Sequence, residues 1–412
     1  MRQGTRRVAI TGIGALSCVG HGADGLWEGC ARGPSGVGPV TRFDPGPFSC
    51  KIAGEIRDFD PSAWMDEKIA KRLDRFAQFS LATARMALTD SGLDLDSVDR
   101  EKVGIYIGSA LGGIAFAEEQ HAAFLAHGIK AVRPTLAISV FGGASSCNIA
   151  MEFGTFGPNV ANANSCASGA IAVGEAARLV ARGEVRAMLA GGVECPLSQL
   201  AFGAFSMIRA MSTRNDDPST ASRPFDRDRD GFVMAEGAGI LVLEEMEAAR
   251  RRGARIYAEV LGYGTTNDAY SMTSPRPDAL QSSRCMRLAL EDAACAPEEI
   301  GYISAHGSST VQNDSGEAAA IRIAMGSHRP PVSSTKSAHG HALGAAGAME
   351  LALCAQTFSR NELPPNRNLF HKAEDCDLDI VENVPRSASV RRVLSNSFGF
   401  GGINACVVLG AV

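Results

Sequence analysis

Apolar positions along the chain fall into two patterns. Short runs rich in Val, Ile, Leu, Ala and Gly occur at Arg7–Ile13, Val103–Gly108, Ala187–Gly191, Ala238–Leu243, Ile256–Gly264, Tyr302–Ala305 and Ala405–Leu409. They are too short for helices, and they predict buried strands. Longer stretches space their apolar residues for one helical face: Ile69–Ser91, Cys166–Arg182, Ser282–Ala294, Ser315–Met325 and Ala346–Ser359. Strands alternating with helices predict an α/β fold, a largely parallel or mixed sheet covered by helices. Near Glu244–Gly253 a strand runs into a short charged helix, Glu244–Arg252, and a new strand begins at Ile256. Both sides begin and end on apolar strands, which points to two similar halves, 1–251 and 252–412, rather than two independent domains.

Composition narrows the function. The chain has 412 residues, 45% of them hydrophobic, enough for a large core, and its 45 glycines suit a compact protein with many tight turns. Its formal charge is −5, with acids and bases interspersed, so no nucleic-acid-binding face is expected. The basic segment Arg2–Arg7 reads as a solvated N-terminus. The apolar stretch Val8–Val19 behind it contains Gly12, Gly14 and Cys18 and no small-residue cleavage pattern, so it reads as a first strand and turn. No apolar run reaches the roughly 18 residues of a membrane span, and no membrane partner is expected. Eleven cysteines without a C-x-x-C pair argue against disulfides or a zinc site, and place the chain in a reducing compartment, the cytoplasm. Thr11-Gly12-Ile13-Gly14 lacks the third glycine and the distal acid of a dinucleotide site.

Four segments carry chemistry. In Asn162-Ala163-Asn164-Ser165-Cys166-Ala167-Ser168-Gly169 a polar stretch delivers a cysteine to a helix start. There the helix terminus favours a thiolate and free N–H groups can hold an oxyanion. Taken alone, Cys166 fits a buried structural thiol equally well. In Ser304-Ala305-His306-Gly307-Ser308-Ser309-Thr310 a strand ends at a histidine followed by hydroxyls suited to a polar chain such as pantetheine; alone, such a histidine is more often structural. Ser333-Ser334-Thr335-Lys336-Ser337-Ala338-His339-Gly340-His341 is followed by Ala342-Leu343-Gly344-Ala345-Ala346-Gly347-Ala348-Met349-Glu350, the start of a small-residue helix that can pack closely. His339 and His341 lack a carboxylate or thiol at ligand spacing, so no metal is expected. Asn396-Ser397-Phe398-Gly399-Phe400-Gly401-Gly402-Ile403-Asn404 reads as a glycine-rich loop able to gate a site or donate to an oxyanion.

Together these segments resemble the condensing enzymes of the thiolase superfamily, most closely the β-ketoacyl-acyl carrier protein synthases II and the ketosynthases of type II polyketide pathways. Val8–Gly14, Thr41–Asp44, Ser212–Asp216, Ser222–Asp226 and Asp230–Val233 fit as well, so the resemblance covers nearly the whole chain. It implies a thiolase-like fold: two pseudo-equivalent halves, each a five-stranded mixed sheet with helices, in five layers α-β-α-β-α. It implies decarboxylative condensation of an acyl-cysteine with malonyl-acyl carrier protein, with no resident cofactor, substrates arriving on phosphopantetheine. Cys166 matches the nucleophile, His306 and His341 the pair that assists decarboxylation, Lys336 the active-site lysine, and Phe400 the gating residue and oxyanion donor. Asp314, Glu317 and Glu350 match supporting acids. Thr273, Ser308 and Thr310 match the pantetheine contacts, and Leu111, Leu136 and Phe205 the acyl chamber. Lys68, Lys71, Arg72 and Arg209 match the surface that meets the acidic carrier protein.

The chain departs from the family at several points. Ser308 stands where Thr is usual, Ser315 and Gly316 replace larger residues, His339 is unusual, and Thr135 and Leu136 follow Pro134 where two Phe are common. Expected partners are the acyl carrier protein and a second copy of the chain, or a chain-length factor for which this chain would be the catalytic subunit. A thiolase would carry a second cysteine in the C-terminal glycine-rich loop, and synthases primed by coenzyme A typically have Asn at His341. Intact Cys166, His306, Lys336 and His341 argue against a scaffold that only binds carrier protein.

Overall fold

A computed structural model describes residues 6–412. A twelve-stranded mixed sheet system runs through the molecule. Its principal strands are β1 (Val8–Ser17), β2 (Val103–Gly108), β3 (Asn159–Asn162), β4 (Ala187–Glu194), β5 (Gly237–Glu245), β6 (Ala258–Asn267), β7 (Tyr302–Ser304), β8 (Pro331–Ser333), β9 (Asp379–Ile380), β10 (Arg392–Gly399) and β11 (Ile403–Gly410). The spatial order is β9-β8-β7-β10-β11-β6-β1-β5-β4-β2-β3, with the two-residue strand Gly20–His21 paired to the end of β1. In the first half β1 pairs antiparallel with β5, β5 antiparallel with β4, and β4, β2 and β3 run parallel. The second half repeats that pattern as β6, β11, β10, β7 and β8, and adds β9 at its outer edge. The halves meet where Val8–Ile10 of β1 pairs antiparallel with Ala258–Val260 of β6.

Helices complete the layers. α1 (Arg75–Ser91) covers the outer face of the first half; α3 (Leu280–Asp292) and α4 (Val311–Met325) lie outside the second. Between the two sheets lie α2 (Ser168–Ala181) and α5 (Ala346–Arg360), each in contact with strands of both halves. These two helices are buried on nearly every face, which is why they are built of Ala, Gly and Ser. A Cβ on Gly169 would lie 2.8 Å from the Gly344 carbonyl oxygen, and one on Gly347 2.6 Å from Ser397 Oγ. The architecture is the five-layer thiolase-like fold.

Several elements differ from their sequence-based outlines. The helix expected over Ile69–Ser91 starts at Arg75, because the Asp74 carboxylate accepts the Ala77 N–H and caps it; Glu67–Ala70 is a separate turn capped by Asp66. Cys166 lies in a three-residue 3₁₀ turn, Ser165–Ala167, ahead of α2. The segment Asn396–Asn404 is mostly strand: only Phe400, Gly401 and Gly402 form the turn between β10 and β11. β10 escaped a reading based on apolar runs because it turns Ser395, Asn396 and Ser397 into the buried interior. No helix among the described residues is long and apolar enough to cross a membrane.

Candidate active site

Cys166 enters the site through backbone strain. Ser165 holds φ at 52°, a left-handed value that non-glycine residues adopt rarely, and the strain turns the chain from the Asn162–Asn164 segment into α2. The turn is held by Ser168 Oγ, which donates to the Ser165 carbonyl oxygen at 2.7 Å, and by Asn162 Nδ2, which donates to the Ser168 carbonyl oxygen at 3.1 Å. The thiol is 8% exposed. Burial raises its pKa, and that outweighs the helix-terminus effect expected from sequence. The Ser165 hydroxyl, the Lys336 charge and the backbone N–H of Phe400, which is directed at the sulfur, pull the other way.

The second half supplies two imidazoles. The rings of His306 and His341 lie edge to face, with centroids 5.1 Å apart. His306 follows β7, and its loop is pinned by Glu317 on α4: one carboxylate oxygen accepts the His306 N–H and the other the Gly307 N–H, both at 2.8 Å. Asn396 Nδ2 donates to the same carboxylate at 3.1 Å. His341 is fixed by its backbone, donating to the Val233 carbonyl oxygen at 2.7 Å and accepting from the Ala235 N–H at 2.9 Å. Burial first, then the Lys336 charge, lowers both imidazole pKa values well below the ordinary value, so both rings are neutral at pH 7. Neither Nδ1 has a protein partner among the described residues.

Lys336 is fully buried behind them. Its Nζ donates to the His306 carbonyl oxygen at 2.7 Å and forms a close ion pair with Glu350 of α5. Burial pushes the Glu350 pKa up to about 7 against the pull of Lys336, and burial does the same to Glu317. His339, one helical turn beyond Lys336, lies beside Thr335, with Nε2 3.2 Å from Oγ1; burial pushes its pKa down to about 3. Among the described residues no group of three or more His, Cys, Asp or Glu side chains is placed to hold a metal.

A cavity of about 390 Å³ joins the reactive groups. Cys166, His306, His341, Phe400, Phe205, Ser308, Thr310, Thr273, Glu317 and Arg209 all line it. Phe205 and Phe400 stack with centroids 6.3 Å apart, and Ser308 Oγ and Thr310 Oγ1 lie 2.9 Å apart on the wall. Thr273 and Arg209 are exposed at the rim. Other expected residues lie elsewhere. Lys336 and Glu350 sit behind the wall, and Asp314 is a fully buried brace for the loops of Phe225 and Ser309, whose N–H groups it accepts. Leu111 packs in the cluster around Cys166 without facing the cavity. Leu136 begins a short helix, Leu136–Ser139, among exposed apolar residues that include Ile138 and Phe141. Lys68, Lys71 and Arg72 are exposed around a separate turn, where Lys71 pairs with Glu67 at 2.6 Å.

Two residues escaped the sequence reading. Glu194, fully buried at the end of β4, accepts N–H groups from both halves. An acid closing an otherwise apolar strand was the available signal. Asp268 accepts from Asn404 Nδ2 at 2.8 Å and from the Arg276 N–H at 3.0 Å, tying the Phe400 turn to the Thr273 loop.

This fold, with a cysteine at one helix start and two histidines facing it across a cavity, defines a thiolase-like, acyl-transferring condensing enzyme. Residues 5–249 match the family described as beta-ketoacyl synthase, N-terminal domain, and residues 257–370 its C-terminal domain. The chain belongs to the β-ketoacyl synthase family. A 3-oxoacyl-acyl-carrier-protein synthase 2 of Coxiella burnetii is 44% identical over 409 residues, 99% of each chain. Among solved structures, the ishigamide ketosynthase/chain length factor superposes with a TM-score of 0.93 at 38% identity, over 99% of this chain and 100% of that one. A ketosynthase in complex with its type II polyketide acyl carrier protein and bound to the hexaketide gives 0.91 at 34% identity, with the same coverage.

Proposed function

We propose that the protein elongates carrier-bound acyl chains by decarboxylative Claisen condensation, with Cys166 as nucleophile. The observation that carries this reading is the shared cavity: the thiol, both imidazoles and the Phe400 turn open onto one space. Cys166 attacks the acyl thioester of an acyl carrier protein; the carrier thiol leaves and an acyl-Cys166 remains. Malonyl-carrier then enters and loses carbon dioxide. Its thioester oxygen becomes an enolate oxygen, stabilised by donors from neutral His306 and His341. The enolate carbon attacks the acyl carbonyl, whose oxygen accepts from the Cys166 and Phe400 N–H groups. Collapse of the tetrahedral intermediate expels the Cys166 thiolate and releases a β-ketoacyl-carrier. No resident cofactor or metal enters this scheme.

Lys336, paired with Glu350, holds the His306 carbonyl oxygen, so we assign it a positioning role, with Glu317 and Asp314 bracing the same loop. Thr273, Ser308 and Thr310 line the path suited to the phosphopantetheine arm, and Phe205 borders the acyl chamber, with Leu111 packed in the apolar cluster around Cys166. Arg209 at the rim, with Lys68, Lys71 and Arg72, would attract an acidic carrier. Residues 1–251 form the nucleophile half and 252–412 the histidine half. The exposed apolar residues around Ile138, Phe141 and Phe156, beside the open edge of β3, suit a second ketosynthase-like subunit, either another copy or a chain-length factor. Leu136 sits in that region and would reach the acyl chamber from across the interface. Eleven unpaired cysteines suit the reducing cytoplasm.

The test is peptide mass mapping after incubation with acyl-carrier protein. An acyl adduct on Cys166, discharged on addition of malonyl-carrier with formation of a β-ketoacyl product, is the expected result. An adduct on another cysteine with Cys166 free would sink the assignment.

A further inference from the structure

Glu194 is a buried carboxylate that the mechanism above does not use. One oxygen accepts from Ser109 Oγ at 3.1 Å and the Leu111 N–H at 3.0 Å; the other accepts from the Ala110 N–H at 2.6 Å and the Gly344 N–H at 3.0 Å. The first three donors belong to the loop after β2 in one half, and the fourth to the turn after His341 in the other. Both segments border the reacting groups. Ala110 and Leu343 line the cavity, and Leu111 packs in the cluster that contains Cys166 and Leu343.

Each segment has a local bond, Gly112 N–H to Ser109 Oγ and Ala345 N–H to the Ala342 carbonyl oxygen, both at 2.9 Å, while Glu194 accepts from both segments and ties one to the other. Leu343 carries φ of 40°, a strained value for a leucine, and the next N–H, that of Gly344, ends on Glu194. Space there is tight: a Cβ on Gly344 would lie 2.5 Å from the Ala110 nitrogen and 2.7 Å from a Glu194 oxygen. The Ser109 carbonyl oxygen also accepts from Ser168 Oγ at 3.3 Å, the hydroxyl that closes the Cys166 turn. Burial pushes the Glu194 pKa up to about 7 in spite of its four donors, so holding the charged carboxylate there costs free energy.

We propose that Glu194 is a positioning residue for the acyl half of the reaction: it locks the Ser109–Leu111 loop, of which Ala110 lines the cavity, to the Leu343–Gly344 turn and so fixes the surface against which an acyl chain on Cys166 lies. This rests on the condensation reading above. The histidine pair has separate anchors, His341 on Val233 and Ala235 and His306 on Glu317, so Glu194 governs acyl placement and not decarboxylation.

The two half-reactions separate these roles. Glu194→Gln keeps the side-chain shape. With its NH2 at the oxygen shared by Ala110 and Gly344, two contacts become repulsive; with the NH2 at the other oxygen, the Ser109 hydroxyl can turn to accept it and only the Leu111 N–H is opposed, so at least one contact is lost in either orientation. The purified chain is assayed for acylation of Cys166 by short- and long-chain acyl-carrier proteins, and for decarboxylation of malonyl-carrier. We expect acylation to fall about ten-fold or more for the long chain and less for the short one. Decarboxylation should stay within about two-fold of wild type. Ser109→Ala removes one of the four donors to Glu194, together with the acceptor of the Gly112 N–H, and should shift the chain-length profile the same way by a smaller factor, which keeps the test alive should Glu194→Gln not fold. Equal losses in both half-reactions, or an unchanged chain-length profile in both variants, overturns the inference. If wild type performs both half-reactions and the variants match it, only the Glu194 role falls. If wild type performs neither, the condensation reading falls too.

Discussion

The two halves use one backbone device for two purposes. In the first, a residue with positive φ, Ser165, opens a 3₁₀ turn that leads into buried α2; in the second, Leu343 does the same ahead of α5. The position after the strained residue is Cys166 in one half and Gly344 in the other. Each turn is approached by the other half. A Cβ on Gly399 of β10 would lie 3.1 Å from the Cys166 nitrogen, and one on Gly192 of β4 2.4 Å from the Gly344 carbonyl oxygen. The difference lies in what receives the crossing N–H. At Cys166 it is the thiol sulfur, which faces the Phe400 N–H; at Gly344 it is the Glu194 carboxylate. On the proposed reading, a duplicated scaffold thus yields one turn for chemistry and one for closing the interface between halves.

Exchanging the special residue of the first turn gives the largest expected effect. Cys166→Ala should abolish detectable acyl transfer, on the order of 1,000-fold or more, while malonyl-carrier decarboxylation persists. Loss of both activities together would mean that the turn is needed for the fold of the whole site. Next in size are the histidines that only the second half carries. His306→Ala or His341→Ala should cut decarboxylation on the order of 100-fold and leave Cys166 acylation within a few-fold, since the enolate forms only in the later step. Equal effects on both steps would mark them as structural.

On the stability side, Gly344→Ala should cost about 1–3 kcal/mol in denaturant unfolding, the usual cost of overpacking, because its Cβ meets the Ala110 and Ser109 backbone as well as the pinned Glu194 carboxylate. A neutral result would show that the second turn can relax, and the likeness between the turns would be superficial. The effect that vanishes at neutral pH is pH-linked. His339 titrates at about 3 when folded and near 6.5 when unfolded. Between those values the unfolded chain binds the additional proton, so stability is lost as pH falls. Relative to His339→Gln, wild type should lose about 1.4 kcal/mol per pH unit through the middle of that window, and nothing above about pH 7. Parallel unfolding curves from pH 7 to 4 would contradict the burial of this ring.

Cys166, His306, Lys336 and His341 could be read because each sits in a segment whose local chemistry is unusual: a polar stretch meeting an apolar helix, or a strand ending in hydroxyls. The central strands and the helices α2 and α5 were legible for a related reason, since burial on both faces leaves a nearly pure apolar or small-residue pattern. β3, β8 and β9 are too short to show a period, and β10 points polar side chains inward, so its sequence resembles a loop. Glu194 was missed because its partners lie 84 and 150 positions away in the chain, and nothing local announces them. Leu111 and Leu136 show the opposite difficulty, for resemblance names a position without showing whether its side chain faces the cavity of its own subunit.

The Lys336–Glu350 pair also bears on how such a chain can change over generations. Removing either partner leaves an uncompensated charge in a dry interior, a loss of about 3–5 kcal/mol, while replacing both by well-packed apolar residues can be neutral. The two codons therefore behave as one heritable unit, separated from any apolar alternative by a fitness valley that single substitutions must cross. A descendant that abandons chemistry at Cys166 can do so in one step, because a small buried thiol has many tolerated replacements. It should keep its buried ion pair long afterwards, as a fossil of the activity it once supported.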